Sequence, residues 1–215
     1  NADILNCSWG DHNGVYYSIY HSSILENSIL NAMTLGRNGK GTIVVFASGN
    51  HGGNYAFNYG GMNYPGIFSN DIITVGGINE YGQRAIFTPE AQSSYGVKLD
   101  VVAPGINITS TNLNSEILES FGTSFAAPHV TGIAALILSV NPNLTQKQVA
   151  DIIEQTAQKV GGYGYNPTTN RPNGNWNMEM GYGLVDAHAA VLMAQQMIST
   201  PYADLYIADN PNDFG

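Results

Sequence analysis

Apolar positions along the chain fall into short β-branched runs separated by longer segments with helical spacing. That alternation predicts an α/β, three-layer doubly wound fold with a mainly parallel sheet. Ile4 to Trp9 reads as the first strand, and Thr42 to Ala47 as one whose near-continuous apolar run suits burial on both faces. Ile72 to Val75 and Leu99 to Val102 read as further strands, with Arg84 to Thr88 a shorter one. Between the first two, Ser22 to Leu35 repeats apolar residues at Ile24, Leu25, Ile29, Ala32 and Met33, the stripe of an amphipathic helix, and stops near Gly36 and Gly39. From about Thr123 to Val140 the pattern is apolar all round, with Val130, Ile133, Ala134, Leu136, Ile137 and Leu138. A helix of that kind should run through the core, with His129 buried in it.

The next helix is announced by its start. Thr145 and Gln148 have the spacing of a capping box, Leu144 and Val149 that of a hydrophobic staple, and Val149, Ile152, Ile153 and Thr156 mark the buried face. Residues 161 to 180, rich in Gly, Asn and Tyr and interrupted by Pro167 and Pro172, read as a long surface loop ahead of a last helix at about Asp186 to Ile198. Residues 199 to 215, with two prolines and three aspartates, read as a linker or tail toward a further C-terminal region. The tyrosine-rich segments Val15 to Tyr20 and Tyr55 to Tyr64 read as turn packing rather than an aromatic groove.

Composition narrows the function classes. The 215 residues are 43% hydrophobic and 11% charged, enough for one domain with a real core. A net charge of −9 disfavours nucleic acid and anionic lipid as partners. No apolar run reaches the length of a membrane span, so no membrane insertion is expected. With 1 Cys the chain can form no internal disulfide, and mid-strand Cys7 reads as a small buried hydrophobe. No His-Glu-x-x-His or cysteine-rich cluster supports a transition metal. Lys40 is followed by Gly41, which fails the phosphate-binding loop, and Ala126 two residues after Ser124 fails the α/β-hydrolase elbow.

The candidate chemistry lies in Gly122-Thr123-Ser124-Phe125-Ala126-Ala127-Pro128-His129-Val130-Thr131-Gly132. A glycine turn running into an apolar helix puts Ser124 at a helix N-terminus, where the dipole and free N–H groups favour developing negative charge. Pro128 is tolerable only near that helix start, where its missing N–H leaves no bond unmade. The run resembles the nucleophile motif of the subtilisin-like serine proteases, with Ser124 on the catalytic serine. Val44 to Asn50 resembles the segment delivering the oxyanion-hole asparagine, here Asn50. Asp3 to Gly10 is similar to the strand that pairs with substrate and walls the P1 pocket. Tyr64-Pro65-Gly66, Leu99 to Gly105 and Gly181 to Ala187 agree in family order.

The resemblance implies peptide hydrolysis through an acyl-enzyme, with Ser8, Trp9 and Gly10 facing Ala47, Ser48 and Gly49 across the pocket. Asn63 stands where the family commonly has glycine, which leaves the P1 preference open. The family order is aspartate, histidine, serine, so the resemblance implies that the first two lie upstream of Asn1. Residues 1 to 198 then form a partial catalytic domain whose N-terminal portion is missing and is required as a partner. No family motif for the base falls on His12, His21, His51 or His188, and the family keeps the residue at His129 as a structural one. No cofactor is implied beyond a weak calcium or sodium site on backbone carbonyls near Gly66 and Phe68, with Asp100 nearby. A protein or peptide substrate and a secreted or cell-surface location complete the expectation. The competing reading is a catalytically dead binding or scaffolding module, against which intact Ser124 and Asn50 argue.

Overall fold

The computed structural model describes residues 2–11, 21–52 and 61–199. Four parallel strands, β1 (Ile4–Cys7), β2 (Ile43–Ala47), β3 (Ile73–Ile78) and β4 (Val101–Pro104), pair in chain order. The register sets Ile4 beside Ile43, Val45 beside Ile73 and Val75 beside Val101. Helix α1 (Ser23–Gly39) follows β1, and three helices follow the last sheet strand: α2 (Thr123–Val140), α3 (Gln146–Gln155) and α4 (Ala187–Ser199). Two antiparallel hairpins complete the described fold, β5 (Ile108–Thr111) with β6 (Ile117–Ser120), and β7 (Asn166–Thr168) with β8 (Arg171–Trp176).

The three layers follow from the two-residue period of β2, which is buried throughout. Ile43, Val45 and Ala47 join Val75, Val101 and Ala103 beneath Ala126, Val130, Ile137, Val149 and Ile152 of α2 and α3. Val44 and Phe46 face the other way and meet Ile29 and Met33 of α1. By length and composition α2 could cross a bilayer, yet it packs on all four sheet strands and on α3 and α4. It is a core helix with one outer side. Leu136 is half exposed and His129 is exposed, against the expectation that both would be buried. A helix that lies on a sheet buries only the stripe that touches it.

The expected helix starts are seen. Ser22 caps α1 by accepting from the Leu25 N–H, and Thr145 and Gln148 form the reciprocal capping box of α3 over buried Leu144 and Val149. In α1 the inner stripe is carried by Ile29 and Met33, while Ile24 points to solvent. The helix breaks at Gly36, where a Cβ would meet the Thr42 side chain at 2.2 Å. Arg84 to Thr88 forms only isolated bridges, from Arg84 to Ile78 and from Ile86 to Gln92, rather than a strand. Cys7 is half-buried against the α1 side of the sheet, and burial pushes its thiol up from the ordinary value.

The segment 161–180 departs most from expectation. In place of a loop it holds the β7–β8 hairpin, turned at Asn170 in the left-handed region. Trp176 enters the core and donates to the Leu99 carbonyl at 2.8 Å. Asn173 donates to both Asp151 and Glu154 of α3 at 2.7 Å and accepts from Gln155 at 2.9 Å. Arg171 pairs with fully interior Asp100 at 2.6 Å, and the other oxygen of Asp100 accepts from the Thr74 N–H at 2.7 Å. Burial, reinforced by Asp100 nearby, pushes the Glu154 carboxyl up to about 8. Most of Val15 to Tyr20 and Tyr55 to Tyr64, together with residues 200–215, lies outside the described residues.

Candidate active site

Ser124 is the second residue of α2. Gly122, the N-cap, has φ 127°, a conformation that disfavours any side chain. A Cβ there would also stand 3.3 Å from Asn50 Nδ2, in the space in front of that amide. Glycine therefore serves two needs at one position: it makes the turn and keeps the approach to Asn50 open.

Asn50 follows β2 and is held from both ends. Its backbone carbonyl accepts from the Gln92 N–H at 3.0 Å. Its side-chain Oδ1 accepts from the Thr123 N–H at 3.0 Å and from the Thr123 hydroxyl at 2.9 Å. With the oxygen committed to Thr123, Nδ2 is left as the outward donor beside Ser124. Thr123 Oγ1 also accepts from the Gly49 N–H at 3.2 Å, so this buried threonine joins the β2 end to the α2 start. Thr123 is a site residue that the sequence pattern alone does not single out; its place between the turn glycine and the serine is the signal it offers.

Pro128 is the sixth residue of α2, past the first turn, so its missing N–H does leave an acceptor unmatched. The deserted carbonyl is that of Ser124, four residues back. Ser8 supplies the replacement, its hydroxyl donating to the Ser124 carbonyl at 3.0 Å. Ser8 in turn accepts from Asn6 Nδ2 at 3.1 Å, and Asn6 Oδ1 accepts from the Thr131 hydroxyl at 2.9 Å. The end of β1 is thereby laced to the first three turns of α2.

These links bring Ser8, Asn50 and Ser124 together. The 8–10 and 47–49 segments face each other across Asn63, whose N–H donates to the Ser48 carbonyl at 2.9 Å. Asp11 and Tyr64 exchange bonds, Asp11 N–H to the Tyr64 carbonyl at 2.9 Å and Tyr64 N–H to Asp11 Oδ1 at 2.8 Å. Trp9 is half exposed and packs edge-on against Phe46, ring centres 5.2 Å apart. Ser48 is fixed from below, its hydroxyl donating to the Ser94 carbonyl at 2.9 Å.

The Ser124 hydroxyl lies 3.5 Å from the Ser8 carbonyl, and no described histidine hydrogen-bonds to it. His129 is turned outward, its Nδ1 donating to the Phe125 carbonyl at 2.8 Å within its own helix. His21 stands near Glu26 at 3.9 Å, and His12 falls outside the described residues. The arrangement thus holds a serine at a helix N-terminus and an oriented amide donor beside it, the two fixed parts of an acyl-transfer site.

The subtilase family model matches residues 1–183, and the chain belongs to that family. It is 36% identical over 161 residues to the thermostable alkaline protease of Halalkalibacterium halodurans, covering 75% of this chain and 38% of that protein. It is 34% identical over 188 residues to subtilisin Savinase of Lederbergia lenta, covering 85% of this chain and 58% of that one. A solved protease of Pseudoalteromonas arctica superposes with a TM-score of 0.64 at 31% identity, over 90% of this chain and 51% of its own. The chain therefore spans between about two fifths and three fifths of the length of these relatives.

Proposed function

We propose that the full-length protein is a secreted or cell-surface serine endopeptidase in which Ser124 is the nucleophile. The observation that carries this is the Asn50 amide, locked through Oδ1 to Thr123 so that its donor faces the site beside Ser124. In this reading Ser124 Oγ attacks the scissile carbonyl while a histidine upstream of Asn1, oriented by an upstream aspartate, takes its proton. The carbonyl oxygen becomes an oxyanion bound by Asn50 Nδ2 and the Ser124 N–H. Return of the proton to the leaving amine releases it and leaves an ester on Ser124, which water then hydrolyses. An extended substrate pairs with the 8–10 segment by strand addition, and its P1 side chain enters between that segment and 47–49.

The isolated chain is proposed to be inactive, because a serine without its base is a weak nucleophile. In subtilisin, losing a triad member lowers turnover by about 10⁴ to 10⁶. A fluorophosphonate probe tests the assignment in the product of the complete reading frame. Labelling that disappears in Ser124→Ala is expected; labelling unchanged by that substitution would place the nucleophile at another residue, and labelling absent altogether would mark a binding module instead.

A further inference from the structure

Thr123 aims the Asn50 amide, but the backbone that carries it is set by another segment. Gln92-Ser93-Ser94 runs alongside residues 48–52 as a strap. The Gln92 N–H donates to the Asn50 carbonyl and the Gly52 N–H to the Gln92 carbonyl, each at 3.0 Å, and the Ser94 N–H donates to the Gly49 carbonyl at 2.8 Å. The His51 N–H donates to the Ser94 hydroxyl at 3.1 Å, and the Ser48 hydroxyl to the Ser94 carbonyl at 2.9 Å. Asn50 therefore stands where this strap stands. The strap is fixed to the sheet through Ser93, whose N–H donates to the Ala85 carbonyl and whose hydroxyl accepts from the Gly77 N–H, both at 2.9 Å. The Ser93 carbonyl is fixed by a side chain instead: Arg84 Nη1 donates to it at 3.0 Å. A Cβ on Gly52 would stand 2.1 Å from that oxygen and 2.9 Å from Nη1, so the turn after Asn50 rests directly on this pair.

The guanidinium is itself immobilised. Arg84 Nε donates to Glu179 at 2.7 Å, and Cζ stands 4.6 Å from the centre of the Tyr95 ring. A planar fork held at one edge by a carboxylate and on its face by an aromatic ring has little freedom left, so its remaining donor is a fixed point for the Ser93 carbonyl. Resting on the protease reading above, the structure assigns Arg84 as a positioning residue for the oxyanion donor: acting through Ser93 and Gln92, it fixes the backbone from which the Asn50 amide projects. An oxyanion is stabilised only by a donor at hydrogen-bond distance from where the charge develops, and a misplacement of about 1 Å costs about 100-fold in rate.

The test is a double-mutant cycle in the full-length product between Arg84→Met, which keeps the aliphatic stem, and Asn50→Ala. Arg84→Met should lower kcat by about 10- to 100-fold with KM nearly unchanged. Arg84→Lys keeps the charge but not the fork, and should recover most of that loss to stand about fourfold below wild type. In the Asn50→Ala background each substitution should change kcat by less than about twofold, because the donor that Arg84 positions is gone. A part in stability alone would lower Tm and either spare kcat or lower it by the same factor in both backgrounds. Arg84→Lys carries the cycle if the methionine variant folds poorly. An equal loss with and without the Asn50 amide, a loss confined to KM, or an unchanged kcat in the folded variants would overturn the assignment. In each of these cases labelling of Ser124 by fluorophosphonate would leave the protease reading standing. Absence of hydrolysis in the wild type, with Ser124 unlabelled, would remove both.

Discussion

Ser8 and Ser124, 116 positions apart, face each other twice: the Ser8 hydroxyl donates to the Ser124 carbonyl at 3.0 Å, and the Ser124 hydroxyl lies 3.5 Å from the Ser8 carbonyl. The residue proposed to wall the substrate cleft and the residue proposed to attack are thus positioned by one another. Ser8→Ala leaves a half-buried carbonyl without its donor. We expect a loss of about 1 kcal/mol of stability, read as a fall of about 2–4 °C in Tm. Fluorophosphonate labelling of Ser124 should persist at a reduced rate. An unchanged Tm would show that water replaces the hydroxyl without penalty.

Asn50→Ala should lower kcat by about 100- to 1000-fold with little change in folding, the range observed for the corresponding donor of subtilisin. A fall below about threefold would place the oxyanion donor elsewhere.

Thr123→Val keeps the shape of the side chain but removes both the donor to Asn50 and the acceptor for Gly49. With its amide freer to rotate, Asn50 should lose part of its advantage: kcat should drop about tenfold while KM changes little, and Thr123→Ser should restore it. A change confined to KM would mean that Thr123 serves binding and not the orientation of Asn50.

Glu154 links stability to pH. Its carboxyl is pushed from 4.5 up to about 8 by burial and by Asp100, against the pull of Asn173 and Arg171, with Asp151 adding to the rise. The folded protein therefore holds a proton that the unfolded chain releases. This contribution is full below about pH 4.5, shrinks as pH rises and is gone above about pH 8. Glu154→Gln keeps an acceptor for Asn173 and cannot ionise. Its Tm relative to wild type should climb steadily between pH 5 and 8, with the variant the more stable at pH 9. Parallel Tm curves across that range would contradict the assignment.

His129→Gln should be mild, within about 0.5 kcal/mol of wild type, because the side chain is exposed and its partner is a carbonyl of its own helix. A large loss of turnover in a folded His129→Gln variant would give His129 a direct part in the chemistry.

How far the sequence could be read depended on where each signal came from. The β2 run, the α3 capping box and the glycine before Ser124 carry their instructions locally, and each stands where its pattern placed it. The β7–β8 hairpin does not. Arg171-Pro172-Asn173-Gly174-Asn175-Trp176 has little intrinsic strand preference, and it becomes a strand because Trp176, Asn173 and Arg171 find partners on Leu99, α3 and Asp100. The one-sided burial of α2 is not legible in the chain, because an apolar composition does not say which face meets the sheet. In the candidate site, Ser124 and Asn50 are proposed from motif. The bonds that aim them, through Thr123, Asn6 and Thr131, join distant segments and become visible only once the chain is folded.

Pro128 carries a constraint that reaches beyond its own helix. By withholding an N–H it leaves the Ser124 carbonyl for Ser8 to claim, so the choice of residue at 128 sets the need at 8. With alanine in place of the proline, α2 could close its own bond to the Ser124 carbonyl. While the proline stays, that carbonyl needs a donor from outside the helix, and the hydroxyl at position 8 meets the need from a strand more than a hundred residues earlier.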